Sequence, residues 1–93
     1  MNVYLAGIEF DRVSYDREVD VLYLHVGDPA TAVDFEESPE GHHLRFDAEG
    51  RLVGVTLLHP QATLKRDGRI AITILEHVEE LAPEALNSAL AAA

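Results

Sequence analysis

Apolar and polar residues alternate along several short segments of this chain, and that period of two constrains the fold more than any other feature. In DVLYLHV, at 20–26, Leu22 and Leu24 share one face, and Tyr23 and His25 share the other. Successive side chains point to opposite faces in a β-strand, whereas a helix repeats every 3.6 residues. Similar alternation predicts further strands, about six in all, at 8–16, 31–37, 42–47, 51–58 and 69–75.

The predicted fold class is α+β. We expect a small, mainly antiparallel β-sheet, connected as a hairpin meander, with a C-terminal helix at about 83–91, where Ala and Leu are frequent. Residues 51–58 are apolar on both faces, which is typical of a central strand covered on both sides. Residues 60–67 are open to two interpretations: a short helix that begins at Pro60 and ends at Asp67–Gly68, or a strand that leads into a hairpin turn at the same Asp67–Gly68. We favour the helix.

The length of the chain predicts one domain. Its 93 residues contain no linker or low-complexity segment, so we expect a single domain over 1–93 with its core at 8–75. No apolar run of about 18 residues is present, and the first residues lack the pattern of a secretory signal. The chain has no cysteine, which excludes disulfides and cysteine-ligated metals. These features predict a cytoplasmic protein without membrane contact.

The charge of the chain is strongly acidic. Seventeen Asp and Glu against seven Lys and Arg give a formal net charge of −10. Nucleic acids are bound through basic side chains that displace counterions, so we expect no nucleic-acid partner. The acidity favours a basic protein partner, but it also serves solubility alone, and the sequence leaves both interpretations open.

The adjacent histidines His42 and His43 raise the question of a metal site. In a strand they point to opposite faces, so the pattern predicts His42 in the core or an interface and His43 on the surface near Asp47. No metal-ligand spacing such as H-E-x-x-H occurs, and no nucleophile or nucleotide motif is present. We therefore predict no catalytic, cofactor or metal residues. The alternative is a site built from His25, His42 and His43, with Asp16 or Asp20.

Two segments share an aromatic–Asp–x–Glu pattern that leads into an apolar strand: YDREVDVLYL and FDAEGRLVGV. Asp side chains accept hydrogen bonds from amides two residues on, so the echo predicts the same turn chemistry twice, or a true internal repeat. Gly54, inside the second apolar strand, indicates a bulge or a close approach of another group.

These segments resemble the YuzE-like family, a bacterial group of unknown function. The motif residues lie in predicted turns and strands between 13 and 58: Tyr15, Asp16, Glu18, Asp20, Leu22, Tyr23, Asp47, Gly50, Arg51, Leu52, Val53 and Gly54. An apolar pair often stands in that family where this chain has His42–His43. The resemblance implies a small α+β domain without established catalytic residues or cofactors, and toxin–antitoxin neighbourhoods for some members.

Two functional hypotheses follow. The first is a non-enzymatic homodimeric module that binds another protein, with an antitoxin-like role as one form of it. It is motivated by a strand at 51–58 that is apolar on both faces, a helix too short to be stable alone and an acidic surface. A small sheet covered on one side by one helix is expected to bury its other face against a partner. The second is a small metal- or metabolite-binding protein or an enzyme that uses the His and Asp residues.

Overall fold

The computed structural model describes residues 2–81 and 83–92. This part of the chain contains nine β-strands, one 3-10 turn at Pro29–Thr31 and two α-helices. The strands are β1 (Val3–Leu5), β2 (Ile8–Phe10), β3 (Arg12–Asp16), β4 (Val21–His25), β5 (Asp34–Glu37), β6 (His43–Phe46), β7 (Leu52–Leu58), β8 (Ile70–Ile74) and β9 (His77–Leu81). The helices are α1 (Pro60–Asp67) and α2 (Pro83–Ala92). The predicted α+β class and the C-terminal helix are confirmed.

The main sheet has five antiparallel strands in the order β3-β4-β7-β6-β5. β7 lies at its centre, and six of its seven residues are buried, as predicted for a strand covered on both sides. The segment between β4 and β5 crosses to the far edge of the sheet, so the connection is not a simple meander. Asp28 begins the 3-10 turn in this crossing by accepting a hydrogen bond from the amide of Ala30 at 2.9 Å.

Two separate hairpins, β1–β2 and β8–β9, complete the structure with the helices. Their apolar residues join the inner face of the main sheet in one core, which includes the fully buried Phe10, Leu22, Leu57, Ile70, Ile72 and Leu86. Burial of these side chains is the main stabilising contribution, at about 25 cal/mol per Å² of apolar surface.

Residues 60–67 form a helix, as we favoured. Pro60 occupies the first turn, where its missing N–H costs no hydrogen bond. Gly68 ends the helix in the left-handed conformation with φ of 76°, and its amide donates to the carbonyl of Leu64.

The strand count differs from the expected six for local reasons. The predicted strand 8–16 is divided at Asp11, whose side chain accepts a hydrogen bond from the amide of Gly27 at 3.0 Å. β1 has only three residues, too few to show a period. β9, HVEEL, has one buried residue, Leu81, so it lacks the alternation that identifies a half-buried strand.

The outer face of the main sheet is polar. Two rows cross it from β3 to β5: Arg12–His25–Gly54–Arg45–Phe35 and Ser14–Tyr23–Thr56–His43–Glu37. The broad apolar face that we expected is therefore not present on this sheet, because the alternate residues of the outer strands are charged or hydroxylated. Tyr23 and Phe35 are the large exposed apolar side chains of these rows, and the others among the described residues lie in turns and connections or in the two separate hairpins: Tyr4, Val19, Val33, Leu75 and Val78.

Candidate functional site

The first motif segment holds helix α1. Asp20 follows β3 with φ of 56°, and its carboxylate accepts hydrogen bonds from Tyr15 Oη at 2.7 Å and from the amides of Gln61 at 3.2 Å and Ala62 at 3.1 Å. First-turn amides have no acceptor within their helix, and His59 at the helix start provides no side-chain cap. Asp20 therefore caps α1 from another part of the chain. Burial opposes its ionisation, but the hydrogen bonds outweigh burial and lower the pKa of Asp20.

The second motif segment closes the β6–β7 hairpin. Asp47 Oδ1 accepts hydrogen bonds from the amides of Arg51 at 2.9 Å and Glu49 at 3.0 Å, and Oδ2 accepts one from Arg51 Nε at 2.9 Å. The backbone hydrogen bond from Arg51, followed by its guanidinium group, lowers the pKa of Asp47. Gly50 takes the positive φ of 80° that this turn requires.

The two motif segments share one turn hydrogen bond, in which an Asp side chain accepts from the amide two residues further on. Asp16 Oδ1 accepts the amide of Glu18 at 3.1 Å, as Asp47 accepts that of Glu49. The Glu18 side chain is exposed, and Tyr23 is 43% exposed on the outer face of the sheet. The hydrogen bonds of Asp16, Asp20 and Asp47 thus stabilise turns and a helix.

Gly54 accommodates a close approach. A Cβ at this position would lie 2.9 Å from Cδ2 of His25 and 3.2 Å from Cβ of Arg45. The His25 ring therefore lies across β7, and both of its nitrogens are buried without a hydrogen-bond partner among the described residues. A buried polar group without a partner destabilises a fold, so the position of the His25 ring is unfavourable.

The three candidate histidines do not form one site. His42 is buried on the inner side, where its Nδ1 accepts a hydrogen bond from the amide of Leu58 at 3.2 Å, and burial lowers its pKa. His43 lies on the outer face, where its nearest carboxylate is Glu37 at 4.0 Å. The predicted separation of the two rings is confirmed. The carboxylate of Asp47, which we expected near His43, binds Arg51. Within residues 2–81 and 83–92, no three His, Asp or Glu side chains are grouped as metal ligands.

A polar cleft of about 570 Å³ adjoins His42. It is lined by Glu40, His42, Leu58, Thr63, Arg66, Asp67, Arg69 and Ala71. Its arginines are already paired, since Arg66 binds Asp67 at 3.0 Å and Arg69 binds Glu80 at 3.0 Å.

Glu40, at the edge of this cleft, ties the β5–β6 loop to β8. It accepts hydrogen bonds from the amide of Thr73 at 2.8 Å and the hydroxyl of Thr73 at 2.6 Å. Partial burial opposes ionisation, but these hydrogen bonds dominate and lower the pKa of Glu40 to about 2. Each charged group that lines the cleft therefore already has a partner among the described residues.

A second concave surface is an apolar groove of about 760 Å³. Four parts of the chain meet there: the β1–β2 turn, the start of the crossing after β4, the β6–β7 hairpin and the β8–β9 hairpin. Its apolar lining consists of Ala6, Ile8, Val26, Leu52, Val53, Ile74 and Leu75. This size is typical of binding sites, which are largely apolar with a few polar groups.

Acidic groups outnumber basic ones among the polar residues of the groove. Asp28, Asp47 and Glu79 are acidic, whereas Arg51 is the one arginine or lysine in the lining and is already bound to Asp47. Leu75 is 68% exposed and also lines a neighbouring cavity of about 280 Å³ that includes Phe35. The groove thus continues toward the edge of the main sheet. Sequence reasoning missed it, because each contributing segment supplies only a few residues and no local pattern marks them.

The helices of the described segments are all too short or too polar to cross a membrane.

Residues 12–59 match the model of a family described as a protein of unknown function, DUF2283. No curated protein and no solved structure matches this chain. The family match agrees in extent with the resemblance at 13–58 and likewise assigns no activity. The YuzE-like designation itself stays a prediction.

Proposed function

The chain belongs to the DUF2283 family of proteins of unknown function, and we propose that it is a non-enzymatic, homodimeric module that binds a basic protein partner in the apolar groove. An antitoxin that masks a basic toxin is one form of such a module. The apolar groove is the observation that carries the proposal. The motif residues stabilise turns and a helix, and four of them, Asp47, Arg51, Leu52 and Val53, also form part of this surface.

The shape of the groove favours a segment of polypeptide as the ligand. It is open along the surface and continues past Leu75 toward Phe35. An extended or helical segment can place one or two apolar side chains in such a groove while its flanks stay in solvent. Burial of those side chains would contribute most of the affinity.

The charge around the groove favours basic flanks on that segment. Asp28 and Glu79 lie in its lining without an ion pair to any described residue, and the whole chain carries a net charge of −10. Such a field accelerates encounter with a basic partner and becomes weaker as salt is added.

Selection of peptides from a random display library on the immobilised protein tests the proposal. We expect enriched peptides that combine large apolar residues with Lys or Arg and bind less tightly at high salt. Leu75→Ser should weaken their binding at least tenfold, because it removes an exposed apolar wall of the groove. Val78→Ser is the matched control, since Val78 is 65% exposed on the same hairpin but does not line the groove.

A second charge test uses Glu79→Lys, which should weaken binding of the same peptides, with the exposed Glu84→Lys on α2 as its control. Enrichment of acidic peptides, or equal binding to the Leu75→Ser and wild-type proteins, would contradict the proposal.

A second candidate function is metabolite binding in the polar cleft. The specific observation is His42, whose Nδ1 accepts an amide hydrogen bond, so that the neutral ring carries its proton on Nε2 as a donor. Thermal-shift screening of tag-free protein against phosphorylated and carboxylated metabolites, with metal analysis, tests this candidate. A ligand whose effect is lost in His42→Asn and kept in His43→Asn would favour it over the groove.

A further inference from the structure

The strand β3 is an edge strand of the main sheet, and helix α2 contacts it. Within the described part of the chain its ladder partner is β4 alone, so one side of β3 has backbone N–H and C=O groups without a strand beside them. Natural proteins protect such edges with charge, or use them to pair with another chain. The sequence of β3, RVSYD, decides between these outcomes.

The side chains of β3 are self-complementary in an antiparallel arrangement. If two copies pair with Ser14 opposite Ser14, each Arg12 faces Asp16 of the second copy. Val13 then faces Tyr15 of the second copy on the inner side. Opposite charges directly across an antiparallel pair are stabilising, as are aromatic side chains opposite β-branched ones.

Both charged groups are free to make the new pair. Arg12 is exposed and forms no ion pair with a described residue. Asp16 is also exposed, and its one hydrogen bond in the described structure uses Oδ1 to hold the amide of Glu18. The neighbouring Arg17 is engaged within its own chain, where it lies over the Tyr15 ring and donates to the carbonyl of Leu90.

The opposite edge of the main sheet repels a second copy. β5 has the sequence DFEE, with Asp34, Glu36 and Glu37 all exposed. Antiparallel pairing of two such strands places carboxylates against carboxylates, which is destabilising. β5 is therefore a protected edge.

The edges of the β8–β9 hairpin are also poor sites for self-association. The amide of Thr73 on β8 already donates to Glu40. β9 has Glu79 at its centre, and antiparallel self-pairing about that residue sets the two copies of this carboxylate against each other.

We infer that two copies of the chain associate through β3, antiparallel and with Ser14 on the two-fold axis, so that their main sheets join into one. This inference rests on the homodimer of the proposed function and names its surface. No residue of β3 lines the apolar groove, so the dimer leaves both grooves open.

Charge reversal tests this interface. Light scattering and sedimentation from micromolar to millimolar concentration should show a dimer for the wild-type chain. Arg12→Asp and Asp16→Arg should each weaken dimerisation roughly tenfold or more, because each replaces two attractive pairs with two repulsive ones. The double variant Arg12→Asp/Asp16→Arg should recover the dimer. An equimolar mixture of the two single variants should form a heterodimer, since every reversed side chain then faces an opposite charge.

Glu36→Arg on β5 is the matched control and should leave the dimer unchanged or strengthen contacts at that edge. Asp16→Arg also removes the hydrogen bond to the Glu18 amide. A second measurement, disulfide cross-linking, therefore leaves Asp16 unchanged. The chain has no cysteine, and Ser14→Cys introduces one thiol on the proposed axis, where oxidation should cross-link two copies. Glu36→Cys should not cross-link.

The outcomes separate the surface from the proposed function. A wild-type monomer at millimolar concentration would overturn both the homodimer and this interface. A dimer that resists every charge reversal and does not cross-link through Ser14→Cys would overturn the β3 interface alone. Neither result alters the peptide-binding test of the groove.

Discussion

Replacement of Asp20 separates the structural role of the motif from any role in binding. Asp20→Ala removes the hydrogen bonds to Tyr15, Gln61 and Ala62 at once. Loss of a helix cap costs about 1 kcal/mol, and loss of a partly exposed hydroxyl–carboxylate bond costs about 1 kcal/mol more. Alanine at φ of 56° adds about 1 kcal/mol of strain. The expected loss is about 3 kcal/mol out of a total stability of about 5–14 kcal/mol for a domain of this length.

Asp20→Asn isolates the hydrogen-bond contribution from backbone strain. Asparagine tolerates the left-handed conformation and keeps one acceptor oxygen, so we expect a loss of about 1 kcal/mol, or a fall in melting temperature of about 4–8 °C. Urea unfolding followed by far-UV circular dichroism measures both variants. Asp34→Asn on β5 is the control, since Asp34 is exposed and its side chain makes no hydrogen bond to a described residue.

The pH dependence gives this prediction a second readout. The pKa of Asp20 is lowered in the folded state, so its carboxylate stabilises the fold fully above the ordinary value of 3.8 and loses that effect as the pH falls below it. The difference between wild type and Asp20→Asn should therefore shrink between pH 5 and pH 2. The capping role would be refuted if Asp20→Asn were as stable as the wild type at pH 7. It would also be refuted if the difference in stability between the two proteins were the same at pH 5 and at pH 2.

Three further substitutions test the packing and electrostatics. Glu40→Gln should lower the free energy of unfolding by about 1 kcal/mol at neutral pH. The full pKa shift would correspond to roughly 3 kcal/mol, but solvent screens the exposed carboxylate and reduces its contribution. That cost should disappear as the pH falls from 4.5 toward about 2, which urea unfolding at several pH values measures. His25→Leu should raise the stability by about 1–2 kcal/mol, because two buried ring nitrogens without partners are removed; a lower melting temperature would contradict this. Gly54→Ala should cost about 1–3 kcal/mol in the same melting assay, since its methyl group meets His25 at 2.9 Å, and an unchanged melting temperature would show that the sheet relaxes freely.

Periodicity and turn chemistry predicted most of the individual elements. Residues 20–26 and 42–47 alternate because one face of each strand is mainly buried, whereas residues 51–58 are apolar on both faces because nearly all of β7 is buried. Pro60 and Gly68 defined α1. The same alternation separated His42 from His43 correctly.

The order of the strands and the location of the groove could not be predicted in this way. Alternation reports which face of a strand is buried but not which strand lies beside it, so the crossing between β4 and β5 left no signal. The capping of α1 by Asp20 joins residues about forty positions apart, and helix signals near Pro60 do not reveal it. The groove depends on four segments that meet only in the folded chain.

The limits of the family match divide the molecule in a way that bears on function. Residues 12–59 include all five strands of the main sheet, and therefore the β3 edge. The groove, in contrast, also needs Ala6 and Ile8 from β1–β2 and Leu75 from β8–β9, which lie outside that segment. Because an edge strand needs only its own sheet, the proposed self-association through β3 would accompany the matched segment wherever the charge pairing of RVSYD is kept. The proposed partner binding, in contrast, would depend on the flanking hairpins, so under this proposal two chains with the same main sheet would bind different partners when these hairpins differ.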